Sequence, residues 1–95
     1  MITSKTIYSV YVLLSQKDGE HYTGLSSNVQ FRFKQHNAGN VKSTKSRRPF
    51  DLIYSEEIGS LADARKREKY FKSSAGRKFL QKILNRQKVS GSLPA

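Results

Sequence analysis

His21-Tyr22-Thr23-Gly24-Leu25-Ser26-Ser27-Asn28-Val29-Gln30-Phe31-Arg32-Phe33-Lys34-Gln35-His36 is the stretch from which the rest of the chain can be placed. It reads as the end of a β-strand, a turn at Gly24 and a capped helix. Ser27 with Gln30 forms a capping-box pattern that starts the helix, and Gly39 stops it. Arg32 and His36 are four residues apart and share one helix face, while Tyr22 leaves the strand before them. A phenol, a guanidinium and an imidazole therefore converge on one spot. That set is suited to holding a phosphate and moving a proton.

Upstream, Ile7 to Leu14 is rich in β-branched and aromatic residues and reads as a strand. It is apolar on both faces, which suits a central strand. Asp18-Gly19 within Gln16 to Glu20 is a hairpin signal, and His21 to Leu25 is the second strand. Side chains alternate along a strand, so the loop length decides which tyrosines share a face. A loop of two or four residues puts Tyr11 and Tyr22 on one face, the favoured case; three residues would put them on opposite faces.

Downstream, a helix over about Val29 to Ala38 can turn Val29 and Phe33 to the sheet. Asn40 to Pro49 is a turn-rich loop with Lys42, Lys45, Arg47 and Arg48. It is too polar to pack and is expected to contact phosphate. Phe50 to Ser55 is the third strand. Ser60 with Asp63 opens a second helix, whose stripe is Leu61, Ala64, Glu68 and Phe71. A carboxylate on such a stripe has to be paired, bound to a metal or protonated; Arg32 is one candidate partner and a metal ion the other. Ser73 to Gly76 breaks that helix, and Phe79, Leu80, Ile83 and Leu84 give a third. Residues 1–87 are expected to form one domain with a frayed start over Met1 to Thr6, and residues 88–95 a flexible Ser/Gly/Pro tail.

The chain has 95 residues, so its core is small. Eighteen Lys and Arg against seven Asp and Glu give a net charge of +11, which calls for a polyanionic partner. Nucleic acid is favoured over membrane: no apolar run is long enough to span a bilayer, and no basic amphipathic helix carries large apolar anchors. Without cysteine there is neither a disulfide nor a cysteine-ligated zinc site, and two histidines do not make one either. No signal-peptide pattern is present at the N-terminus, so the cytoplasm is the expected location.

Tyr11, the Tyr22-Thr23-Gly24 triplet, Arg32 ten residues after Tyr22, His36 and a late helical Glu68, in that order, resemble the GIY-YIG nuclease family. The resemblance is to its small, single-domain, stand-alone members and covers about Tyr8 to Leu84. His36-Asn37-Ala38-Gly39, Arg47-Arg48-Pro49-Phe50 and the segment around Arg67-Glu68-Lys69 look like that subgroup too. It implies an α/β fold of the α+β type, a three-stranded antiparallel sheet flanked by helices. It also implies hydrolysis of a DNA phosphodiester with one divalent metal, Mg²⁺ or Mn²⁺. The family's two tyrosines fall on Tyr11 and Tyr22, its arginine on Arg32 and its metal-binding glutamate on Glu68. His36 stands where members carry histidine or tyrosine. Some members have a lysine directly after the second motif; here it is Leu25, with Lys42 or Lys45 as stand-ins.

On this reading Glu68 holds the metal, Arg32 binds a non-bridging phosphate oxygen and Tyr11 takes the proton from water. Tyr22 orients water or phosphate, or the two tyrosines exchange roles. A phenol with an ordinary pKa of about 10 needs nearby cations to become a base at neutral pH, and His36 can accept or relay the proton. The expected partner is DNA or RNA, with neither membrane nor small-molecule cofactor. Low sequence specificity, branched DNA or a partner protein that supplies targeting are all compatible with so small a reading surface. The alternative is a DNA- or RNA-binding module on the same fold without turnover. A purely structural basic protein is disfavoured, because packing does not need these polar positions.

Overall fold

The computed structural model describes residues 5–92, with side chains up to residue 85. In chain order it contains β1 (Tyr8–Ser15), β2 (His21–Ser26), α1 (Val29–Ala38), a 3-10 turn (Lys45–Arg47), β3 (Phe50–Gly59), α2 (Leu61–Lys72) and α3 (Ser74–Ser92). The strands form an antiparallel sheet in the order β2-β1-β3. This is the α+β architecture expected from the sequence, three strands with three helices.

Strand alternation divides the core in two. Val10 and Val12 of β1 pack with Ala64, Phe71 and Leu80 under α2 and α3. Tyr11 and Leu13 pack with Phe50 on the opposite face, flanked by Val29 and Phe33 of α1. The central strand is apolar on both sides because both sides are covered. Leu13 lies opposite Tyr22 and Tyr11 opposite Gly24, so both tyrosines are on the α1 face, the favoured case. Gly19, at φ 72°, supplies the left-handed residue of the hairpin turn.

Four local expectations are corrected. Gly24 lies inside β2, which runs on to Ser26, and makes no turn. The cap of α1 is Asn28, whose Oδ1 accepts from the Phe31 N–H at 3.1 Å. Asparagine caps as well as serine, and this shifts the expected cap by one residue. β3 does not stop at Ser55 but stays paired with β1 up to Gly59. Its acidic Glu56 is tolerated because Arg67 of α2 binds it, with Nε–Oε2 at 2.7 Å. Finally, the backbone of α3 is helical to Ser92, into the stretch expected as a tail from residue 88. Residues 93–95 of that tail and 1–4 of the expected frayed start lie outside the described residues.

The break between α2 and α3 is one residue wide. Ser73 Oγ accepts the Gly76 N–H at 3.2 Å, capping α3. Gly76 is buried, and a Cβ on it would overlap the Tyr70 carbonyl oxygen. Glycine is required there for the close approach of α3 to the end of α2. Arg67 completes the junction: its guanidinium lies 5.0, 4.7 and 5.2 Å from the ring centroids of Tyr70, Phe71 and Phe79.

Candidate nucleic-acid cleavage site

Tyr11 points from the central strand across β2, directly over Gly24. A Cβ on Gly24 would stand 2.6 Å from the Tyr11 hydroxyl oxygen. The glycine of the second motif is therefore the floor under the tyrosine of the first, chosen for space, since its φ is not left-handed. The ring is buried, and its hydroxyl meets His36 Nε2 at 2.9 Å.

His36 is fully buried at the last turn of α1. Its other nitrogen, Nδ1, lies 2.8 Å from Thr44 Oγ. That hydroxyl faces the Val41 carbonyl at 3.4 Å, the acceptor for its own proton. This network assigns the proton of the neutral imidazole to Nδ1, donating to Thr44, and leaves the Nε2 lone pair to accept from Tyr11. Burial, with the Arg32 charge adding to it, pushes His36 down from 6.5 to about 4. Burial also pushes Tyr11 up to about 12; Tyr22 and Glu68 act in the same direction, while Arg32 opposes them. Both partners are neutral at pH 7. The cations expected to lower the phenol are outweighed by its loss of water.

Tyr22 is half-buried, its ring centroid 5.0 Å from that of His36. It presents to solvent what Tyr11 keeps inside. Arg32 is half-buried beside them, its Nη1 donating to Gln35 Oε1 at 3.1 Å. Glu68 comes from α2, across the sheet from α1, yet its charge is felt at Tyr11. It is not buried as the stripe implied: its side chain is 24% exposed, so water reaches it. Its partner is Lys72, one helical turn on at 3.4 Å, in place of Arg32.

Among the described residues no group of three or more His, Cys, Asp or Glu side chains could hold a metal. A structural cage is thereby absent from the described residues, but Glu68 fits a different kind of site. Mg²⁺ keeps several waters and is commonly held by one or two carboxylates together with substrate phosphate. A hydrated single carboxylate within electrostatic range of Tyr11 is compatible with that.

The basic segment divides. Lys42 and Lys45 are exposed and make no side-chain hydrogen bond or ion pair among the described residues. Arg47 is occupied: it pairs with Asp18 at 2.8 Å, donates to the Glu20 and His21 carbonyls, and lies 5.7 Å from the Phe50 ring centroid. It fastens the β1–β2 hairpin to the start of β3, where the charge run suggested a free cation. Arg48 folds back, donating to the Lys45 carbonyl at 3.0 Å with its guanidinium against Gly39.

Thr44 and Asn37 escaped the sequence reading. Thr44 orients His36, and only a loop folded back over α1 makes that visible. Asn37 accepts from the Phe50 N–H at 2.7 Å and donates to its carbonyl at 3.0 Å, so a side-chain amide holds the start of β3 against the helix.

Two phenols, an imidazole and a guanidinium gather at this end of the sheet, with a carboxylate in electrostatic range, and form the candidate site. The chain belongs to the GIY-YIG family: residues 7–82 match the family described as the GIY-YIG catalytic domain. It is similar to a UPF0213 protein of Staphylococcus haemolyticus, 41% identical over 71 residues, covering 74% of this chain and 87% of that one. A UPF0213 protein of Syntrophus aciditrophicus is 40% identical over 76 residues, covering 78% and 86%. The solution structure of the UPF0213 protein BH0048 from Bacillus halodurans superimposes with a TM-score of 0.49 at 35% identity, covering 81% of this chain and 82% of that one. The family is one of nucleases, which act on nucleic acid and generally use divalent metal ions. Among the described residues no helix is long and apolar enough to cross a membrane.

Proposed function

We propose that this protein is a divalent-metal-dependent endonuclease that hydrolyses DNA phosphodiester bonds, with low sequence specificity or selectivity for DNA structure. The observation that carries this reading is the buried Tyr11–His36–Thr44 chain of hydrogen bonds, with nothing larger than Gly24 beneath the phenol. A hydroxyl whose proton faces an imidazole lone pair is a device for proton transfer. Packing alone would be served by phenylalanine.

Arg32 binds a non-bridging oxygen of the scissile phosphate. That anion offsets the Arg32 charge, which adds to burial in holding His36 down, and makes the imidazole a better acceptor. Tyr11 then takes a proton from the attacking water while passing its own to His36 Nε2. Tyr22, on the solvent side, aligns water or phosphate. Water oxygen bonds to phosphorus as the bond from phosphorus to one ester oxygen breaks; that oxygen leaves as an alcohol on taking a proton from solvent water, and His36 returns its proton through Tyr11 to solvent. When bound at Glu68, Mg²⁺ or Mn²⁺ supplies charge neutralisation at the phosphate and the departing oxygen. Substrate choice rests on DNA structure or on a partner protein, because a domain this small has little surface for reading bases. The cytoplasm is its proposed place of action.

Incubation of the protein and of Glu68→Gln with plasmid and branched DNA, in Mg²⁺, in Mn²⁺ and in EDTA, tests the reading. Wild type is expected to nick only with metal, and Glu68→Gln to bind DNA without nicking, with an unchanged melt because Glu68 is partly hydrated. Nicking by Glu68→Gln at the wild-type rate would remove the metal site. DNA binding by wild type with no nicking under any metal would leave the non-catalytic binding module.

A further inference from the structure

The excess charge does not centre on the Asn40 to Pro49 loop. The 36 residues from Ser60 onward carry ten of the eighteen Lys and Arg, with Asp63 and Glu68 their only acids. All ten belong to helices α2 and α3. Between these helices and the free edge of β2 runs a cleft of about 390 Å³. His21 and Tyr22 line its β2 wall; Lys72, Arg77 and Gln81 line the helical wall; Glu20 contributes its one carboxylate. Lys72 and Arg77 are exposed, and Arg77 makes no ion pair among the described residues.

Two residues join this cleft to the cleavage site around the edge of β2. The cleft runs along the Tyr22 stretch of β2, while the Tyr22 ring lies on the α1 face, 5.0 Å from His36. Lys72 lines the cleft too, with its ammonium 3.4 Å from the Glu68 carboxylate. That contact is an exposed pair one helical turn apart, weak enough for a phosphate to displace. The outer edge of β2 adds unpaired backbone groups able to bond sugar or phosphate oxygens.

We propose that this cleft seats the sugar–phosphate backbone of the nucleic-acid strand flanking the scissile phosphate, with Lys72 and Arg77 as its phosphate contacts. The proposal rests on the nuclease reading of the Tyr11–His36 cluster, since that cluster fixes where the strand enters. The volume, within the range of about 300–1,000 Å³ usual for ligand pockets, admits one strand's backbone and not a whole duplex. Lys72 thereby serves in two places: it shields Glu68 when the cleft is empty, and turns to a phosphate when it is filled.

The test uses the full chain and fluorescein-labelled branched DNA, with anisotropy read in EDTA across a salt series. Lys72→Gln with Arg77→Gln is expected to flatten the log–log salt slope by about 1.4–1.8, two contacts at about 0.7–0.9 each, with an unchanged melt. The chain has no cysteine, so Gln81→Cys offers a single thiol for a photocrosslinker. Crosslinking to DNA is expected from that position and not from Ala62→Cys. If wild type binds and nicks DNA while the double variant keeps the full slope, or the Gln81→Cys probe captures no DNA, the cleft assignment falls and the nuclease reading stands. If wild type binds no DNA at all, both fall. A double variant that melts early leaves the decision to the crosslink.

Discussion

His36 is the residue on which site and stability meet, because it is fully buried and both ring nitrogens are in hydrogen bonds. Its pKa falls from 6.5 to about 4 on folding, chiefly through burial. Between those values the unfolded chain binds a proton that the folded chain refuses, so stability rises with pH across the window. It is fully present above pH 6.5 and is lost as pH falls toward 4, by at most about 3 kcal/mol. Asp18, lowered from 3.8 to about 2 by Arg47, acts in a separate window below that. Urea unfolding at pH 7.0 and 4.5 should show this loss in wild type and little of it in His36→Gln, whatever that variant's starting stability. Equal losses in both would assign the acid sensitivity to other groups. The convergence of Tyr22, Arg32 and His36 could be read from helix and strand periods, while the place of Tyr11 beside them depended on the hairpin register. The role of Gly24 could not. A glycine in sequence signals either a special dihedral or a close approach, and only the ring of Tyr11 lying on it shows that the second applies. The same burial explains why cations do not lower the Tyr11 phenol.

Elements were legible where one periodicity dominates and less so where partners decide. Helix α1 has the boundaries that Val29 and Gly39 announce, and β1 is central as its two apolar faces require. β3 runs past Ser55 only because Arg67 compensates Glu56, a pairing across eleven residues that no local pattern carries. Glu68 shows the limit of a stripe. At about 100° per residue, Ala64 and Phe71 lie about 20° apart, and Glu68 is about 40° and 60° from them, toward the margin. It therefore meets water and Lys72 and not the core. The junction of α2 and α3 is the element-scale feature most open to test. Gly76→Ala gains up to about 1 kcal/mol of helix propensity but drives a methyl into the Tyr70 carbonyl. Overpacking of that kind costs about 1–3 kcal/mol, and more where the obstacle is backbone. A net loss of stability is expected in urea unfolding, together with a weaker DNA affinity as α3 backs away from the cleft. A variant as stable as wild type would mean that α3 shifts freely at its first turn.

At the scale of the whole molecule, a net charge of +11 has to be sorted into cations that hold the fold and cations that face a polyanion. Arg67 belongs to the first group through Glu56 and three aromatic rings. Arg47 belongs there as well, since it joins the hairpin loop at Asp18, Glu20 and His21 to the approach of β3. Lys42 and Lys45, exposed on the same loop, are the proposed members of the second. The sequence shows all four as one kind of residue, because a charge run carries no record of where the acids lie in space. Substitution separates them. Lys42→Ala with Lys45→Ala should leave the melting temperature unchanged and flatten the salt dependence of DNA binding, by up to about 1.8 in log–log slope if both touch B-DNA phosphates. Arg47→Ala should do the reverse. The Asp18 pair is exposed and worth little by itself, but the Glu20 and His21 carbonyls each lose a guanidinium donor and the Phe50 ring its cover, so the melt should fall by a few degrees with the slope nearly intact. Thermal melts and anisotropy titrations on the two variants give a crossed pattern if the sorting is right. An Arg47→Ala protein that melts like wild type and loses salt dependence would return that arginine to the nucleic-acid surface and leave the hairpin to be held by Ser15, Gln16 and Lys17.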